Sequence, residues 1–268
     1  MPLGYPRMVT AQSVLTFASP IVRESGRDDL LVAGLRAEFQ TVVSKPMALP
    51  GGPPQIAPLV LASRSAQVTI GPSEASFTVG LFGDFVTDHR RALEYVRRKT
   101  GVLCVAMQNA DVEVLVLGVL VTMQFSTGSG GAREAIEQLA EFYEGDEAEG
   151  EEVADLFVRA GVGVDNLYYV TTSFSNYETR TFQRPAMPGA SVVTVHPWEG
   201  DVSDSGVQMT IDVNNRLEAR RTQGARQLDP DRIDGIFELL GRLVDARSHE
   251  IMETGRFHSA NLMDVGNE

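Results

Sequence analysis

Ten carboxylates and no Lys or Arg fall between Glu134 and Asp155, at Glu134, Glu137, Glu141, Glu144, Asp146, Glu147, Glu149, Glu151, Glu152 and Asp155. Like charges at this density repel one another and resist burial, so a compact core has to be built on either side of the tract. The tract carries -10 of the chain's net charge of -13. It separates a nearly neutral N-terminal half from an acidic C-terminal half. It therefore marks the expected break in the fold: an N-terminal α+β lobe over 1–131, an acidic helix and linker over 132–155, and a C-terminal α+β lobe over 156–268. One continuous domain is the alternative, since 268 residues suffice for one large domain or two small ones.

The charge also excludes partners. A pI near 4.8 opposes a nucleic-acid surface, which needs clustered cations to displace counterions. The same charge repels anionic lipid headgroups. The longest apolar stretch, Val112 to Phe125, is interrupted by Glu113, Gly118, Thr122 and Gln124 and is short of the roughly 20 residues that a spanning helix takes. No leader segment is legible after Met1, and a cytoplasmic location is expected. The single cysteine, Cys104, precludes an internal disulfide; its apolar neighbours from Gly101 to Met107 mark it as a core thiol.

Periodicity supplies the elements. Ser13 to Phe17 reads as a short strand. Asp28 to Val43 reads as a helix, with Leu31, Leu35, Phe39 and Val42 at helical spacing. The Pro- and Gly-rich stretch 46–58 reads as a connector. Leu59 to Ile70 and Ala75 to Leu81 read as a hairpin about Gly71-Pro72-Ser73-Glu74. A helix capped by Asp84 follows and closes at Thr100-Gly101. Val112 to Phe125 reads as one long strand or two broken at Gly118, Ala132 to Tyr143 as a helix, Gly145 to Glu152 as a solvated loop, and Val153 to Ala160 as a short helix. Asn166 to Phe174 and Ser191 to Val195 read as strands, with Tyr177 to Phe182 continuing the first pairing.

The clearest strand is Val207 to Val213, whose apolar residues alternate with Gln208, Thr210 and Asp212 and which ends in a tight turn at Asn214-Asn215. The clearest helix starts at Asp229 and Pro230 and carries Ile233, Ile236, Phe237, Leu240, Leu243 and Val244 on one stripe. From Thr254 onward the chain turns polar and reads as a frayed end. Strand, turn, strand and helix recur at 59–99 and 191–252. The expected fold is therefore α+β, a mostly antiparallel sheet with helices on one face, possibly in two similar β-β-α lobes.

Chemistry is sparsely signalled. Ser126-Thr127-Gly128-Ser129-Gly130-Gly131 lies between a strand and a helix, where backbone N–H groups suit a phosphate. No Gly-Lys-Ser/Thr follows, Arg133 stands where the third Gly of a dinucleotide fingerprint belongs, and the next helix carries Glu134, Glu137 and Glu141. His89, His196, His249 and His258 have no ligand spacing, and His89 reads as a core residue on an apolar helix face. His196-Pro197-Trp198 reads as a loop anchor. Asp201, Asp204 and Asp212 fit no calcium loop. Arg216, Arg220, Arg221 and Arg226 form the one basic cluster of the acidic half.

The candidate binding residues are accordingly Ser126, Thr127, Gly128, Gly130, Gly131, Arg220, Arg221 and Arg226. No catalytic residue, metal or cofactor is expected. The function expected is a non-catalytic protein-binding or assembly protein, its partner another protein or a second copy, with charge attraction between the basic cluster and the acidic tract of another copy contributing. The alternative is a binder or enzyme for a small, possibly phosphate-containing molecule, with a pocket between the lobes and the Gly-rich segment at its mouth.

Overall fold

A computed structural model describes residues 3–21, 25–44, 58–128, 132–139, 142, 156–181, 200–224, 228–259 and 261. The expected strand at 191–195, His196, Trp198, the loop 145–152, and Gly130, Gly131 and Arg226 lie outside these residues. In chain order the elements are β1 (Arg7–Phe17), α1 (Ser25–Leu35), β2 (Thr41–Ser44), β3 (Leu59–Ala62), β4 (Ala66–Ile70), β5 (Glu74–Gly80), a 3-10 turn (Gly83–Val86) and α2 (His89–Asn109). There follow β6 (Val114–Gly128), α3 (Ala132–Gln138), β7 (Phe157–Val164), β8 (Tyr168–Thr181), β9 (Asp201–Asn214), α4 (Arg216–Arg221) and α5 (Pro230–Thr254).

The fold is α+β, as expected. All nine strands form one antiparallel sheet in the order β2-β3-β4-β5-β1-β6-β9-β8-β7. The order has an internal symmetry. β1, α1, β3, β4, β5 and α2 form one half, ordered β3-β4-β5-β1 in the sheet. β6, α3, β7, β8, β9 and α5 form the other, ordered β6-β9-β8-β7. The halves meet where β1 pairs with β6, from Arg7 against Gln124 to Phe17 against Val114. The sheet is continuous through that junction, and β6 pairs with β9 on its other side.

One face holds the core. Ala11, Leu15, Phe77, Val119, Val121, Met209 and Ile211 point into it and are buried. α2 lies over β1 and β5, α5 over β6 and β9, α3 over β8 and β9, and α1 over α2 and β3. Phe174 stacks edge-on against Phe257, which meets Phe125 in the same way at 5.4 Å between ring centres. Fully burying an aromatic side chain of this size contributes about 2–3 kcal/mol.

Several elements depart from the periodic reading. α1 ends at Leu35, and Thr41 to Ser44 form a strand, because Thr41, Val42 and Ser44 pair with β3, with a register shift at Val43. The first hairpin arm is two strands, β3 and β4, reversed between Ala62 and Ala66. α2 is capped by Asp88, whose carboxylate accepts the Arg91 N–H at 3.0 Å, rather than by Asp84. It runs on through Thr100-Gly101 to Asn109 because Thr100, Leu103 and Met107 are buried against the sheet. That burial outweighs the roughly 1 kcal/mol that a mid-helix glycine costs. β6 is unbroken at Gly118, which pairs with both Val14 and Asn214.

α3 ends at Gln138. Of the helix expected over Val153 to Ala160, residues 153–155 lie outside the described residues, and from Phe157 the chain is strand β7, paired with β8 along its whole length. The reversal between them uses Asp165 and Asn166 at φ 51° and 55°, a left-handed backbone that Asp and Asn tolerate. Asn214-Asn215 is not a positive-φ turn. Asn215 precedes α4, and its side-chain amide bonds Leu117 N–H at 2.8 Å and Leu115 C=O at 3.2 Å, extending the β6 ladder. Nor is the end frayed throughout, since Phe257 and Asn261 are buried. α5 is as the sequence indicates, with Asp229 accepting from Arg232 N–H at 2.8 Å and Gly255 closing the helix at φ 66°.

Candidate functional site

The sheet register places one polar row after another on the face opposite α1, α2, α3 and α5. Thr41, Ala62, Gln67, Thr78, Gln12, Leu120, Asp212, Thr171 and Gly161 stand side by side across all nine strands. The next row toward the Gly-rich segment runs Gly80, Thr10, Thr122, Thr210, Ser173 and Arg159. Side chains on this face are mostly hydroxyls and amides, because a pleated surface favours β-branched Thr and period 2 sends the apolar residues to the core.

Besides Arg159, two places on this face carry charge. At one end, Arg7 of β1, Ser126 of β6, Asp204 of β9 and Tyr177 of β8 form one network. The Arg7 guanidinium and the Ser126 hydroxyl both donate to the Asp204 carboxylate. Tyr177 Oη donates to the same carboxylate at 3.1 Å, and Arg7 reaches Tyr177 Oη at 3.3 Å. Burial works against the Asp204 charge, yet the bonds from Ser126 and Arg7 outweigh it and hold the carboxyl below its ordinary value. Burial, with the Asp204 charge beside it, pushes the Tyr177 phenol up to about 12. Arg7, Ser126 and Tyr177 all donate to that carboxylate, so the network ties four strands together.

The second charge is Asp212, mid-sheet. Burial raises its pKa, against a partial offset from the Asn214 amide at 3.4 Å and from Arg216 and Arg159. Its neighbour across β8, Thr171, is buried with no hydrogen-bond partner on its hydroxyl.

The residues singled out from sequence separate into two groups. Ser126 belongs to the Asp204 network. Thr127 is buried and donates to Ser205 C=O at 3.2 Å. Gly128 takes φ +106° and gives its N–H to Ser126 Oγ at 3.1 Å. Arg220 and Arg221 stand exposed on α4, with Arg221 reaching Asn166 C=O at 3.3 Å. Ser126 is level with Gly206 near the start of β9, whereas α4 follows its end. At about 3.3 Å per residue the two groups lie roughly 30 Å apart. The structure does not bring them together.

Arg7, Tyr177 and Asp204 carried no usable sequence signal, since they lie on three strands and no short spacing links them. His89 is half-buried, with Nε2 3.2 Å from Pro6 O and its ring near Tyr5. Cys104 is buried, and burial pushes its thiol up to about 12. Among the described residues no group of three or more His, Cys, Asp or Glu is placed to hold a metal ion, and no helix is long and apolar enough to cross a membrane.

On the helical side, a cleft of about 840 Å³ opens between α2 and α5. Leu93, Phe237 and Gly241 form its floor, and Arg90, Arg242 and Glu238 stand on its walls. Arg97 and Asp234 pair at 2.6 Å between the two helices beside it. Among the described residues, none of the candidate binding residues lines it. The chain matches no protein-family model, and no curated protein is similar to it in sequence.

Proposed function

We propose that this chain is a non-catalytic binding protein that works as an assembly, with another protein or a further copy of itself as partner. The observation that carries the reading is the polar sheet face opposite the helices α1, α2, α3 and α5. Its two central rows hold fifteen residues, of which Asp212 and Arg159 are the charged ones, in a chain that is 22% charged. Depletion of charge from a broad patch is the compositional mark of protein interface cores. The hydrogen bonds that tie Ser126 to Asp204 and Thr127 to Ser205 favour the same reading, because they engage these side chains within the sheet.

A second reading has its own observation. The cleft between α2 and α5 lies between the two halves of the chain and is large enough for a small molecule. Its mixed charges suit a zwitterionic or mixed-charge ligand better than a polyphosphate.

Sedimentation of the purified chain over a wide concentration range, together with native mass spectrometry, separates the two. An oligomer without retained small molecule supports the assembly reading. A monomer that carries a small molecule, lost on Leu93→Arg, overturns it in favour of the cleft.

A further inference from the structure

We propose that two copies of this chain join antiparallel along the outer edge of β7, about a two-fold axis at Ala160, making one sheet across both. This rests on the assembly reading above and adds to the sheet face described there a second contact, the sheet edge.

β7 is the last strand of the sheet, and among the described residues none pairs with its outer edge. It is eight residues long, with no Pro or Lys and the single charge Arg159. Proteins usually blunt such an edge with Lys, Pro, bulges or a covering element. Here the edge instead presents Phe157, 65% exposed. Its inward residues Val158, Ala160, Val162 and Val164 pack against the core but stay half-buried, so apolar surface continues to the rim of the sheet.

The choice of a second copy as occupant comes from the strand's own pattern. Directly opposed residues of an antiparallel pair share a face, so a two-fold pairing has to centre on a residue. Centred on Ala160, it sets Phe157 against the other copy's Gly163, Arg159 against Gly161 and Val158 against Val162. Phe157 and Arg159 then each meet a glycine, and Val158 meets Val162.

The glycines are not empty space. The Tyr169 side chain lies over Gly161, and Leu217 Cδ1 lies 2.9 Å from where a Cβ of Gly163 would be. Arg159 of one copy is thereby set against the Tyr169 ring of the other, and Phe157 against Leu217, which suits cation–π and apolar contact. Centring on Arg159 would oppose two guanidinium groups. Centring on Gly161 would leave Phe157 beyond the paired length. Both copies carry -13, so association through backbone and apolar contacts strengthens with added salt, opposite to an attraction between the basic cluster and the acidic tract.

The test uses residue 160, which in this arrangement faces its own counterpart. Wild type is expected to sediment as a dimer, and Ala160→Lys and Ala160→Glu are each expected to weaken association at least tenfold. An equimolar mixture of the two is expected to dimerise again, which shows that both variants are folded. Ala160→Cys is expected to form a disulfide-linked dimer on oxidation, since opposed strand residues lie within disulfide range, while Phe157→Cys does not cross-link to itself. A wild-type dimer indifferent to both charge variants, or Ala160→Cys that does not cross-link, overturns the β7 edge but leaves the assembly reading standing. A wild-type monomer at all concentrations overturns the β7 pairing and self-assembly with it, and leaves a different protein as the partner in the assembly reading.

Discussion

Arg7 and Asp204, 197 residues apart, form an ion pair that reaches from β1 over β6 to β9. Their side chains are 38% and 20% exposed, so solvent screens part of the attraction. Asp204→Asn is expected to cost about 1–2 kcal/mol at neutral pH, in the range of a hydrogen-bonded charge at a partly wet site. The folded carboxyl titrates below its unfolded value, so its contribution is complete above that value, about 3.9. It is lost as pH falls through the lower folded one. Urea midpoints of wild type and variant should therefore converge on acidification, and a constant gap down to pH 2 would contradict the assignment.

Asp212 has the opposite sign. Burial raises its pKa, so the ionised group opposes folding, and stability falls as pH rises from the unfolded value through the folded one. Asp212→Asn keeps the shape and the Asn214 contact. It is expected to raise the melting temperature at pH 7 and to bring no gain at pH 3. A lower melting temperature at pH 7 would mean that Arg159 and Arg216 hold the charge more strongly than burial opposes it.

Gly206 is required by its neighbour. A Cβ there would fall far inside van der Waals contact with the carbonyl of Phe125, a backbone atom that cannot swing aside. Gly206→Ala should cost about 3 kcal/mol as an overpacking lesion, read from chemical denaturation. Gly101 is the contrasting case, since nothing lies within 4 Å of its Cβ position in the middle of α2. Gly101→Ala should stabilise by about 0.5–1 kcal/mol, and a loss would contradict the helix assignment there.

Phe257, beyond the end of α5, is 1% exposed and meets Phe125 and Phe174. Phe257→Ala should cost about 3–5 kcal/mol, the usual consequence of an aromatic cavity. A change below about 1 kcal/mol would show that the segment after Gly255 does not pack.

What the amino-acid sequence determined on its own was local. The cap at Asp229, Pro230 and the stripe from Ile233 to Val244 specify α5, because capping and a 3.6-residue period act within a few turns of chain. The alternation from Val207 to Val213 specifies a strand with one buried face. The class followed from these elements and their order. Tertiary structure alone decided that α2 runs past Gly101, since Thr100, Leu103 and Met107 are buried by distant parts of the chain, as in the contact of Ser13 Oγ with Thr100 Oγ1 at 2.6 Å, which spans 87 residues. It alone decided that 157–164 is strand, because a short apolar run fits either period until β8 supplies the hydrogen bonds. The polar network was illegible for the same reason. Arg7, Ser126, Tyr177 and Asp204 become neighbours through the strand order β1-β6-β9-β8, and strand order is fixed by non-local pairing that no spacing within the chain records.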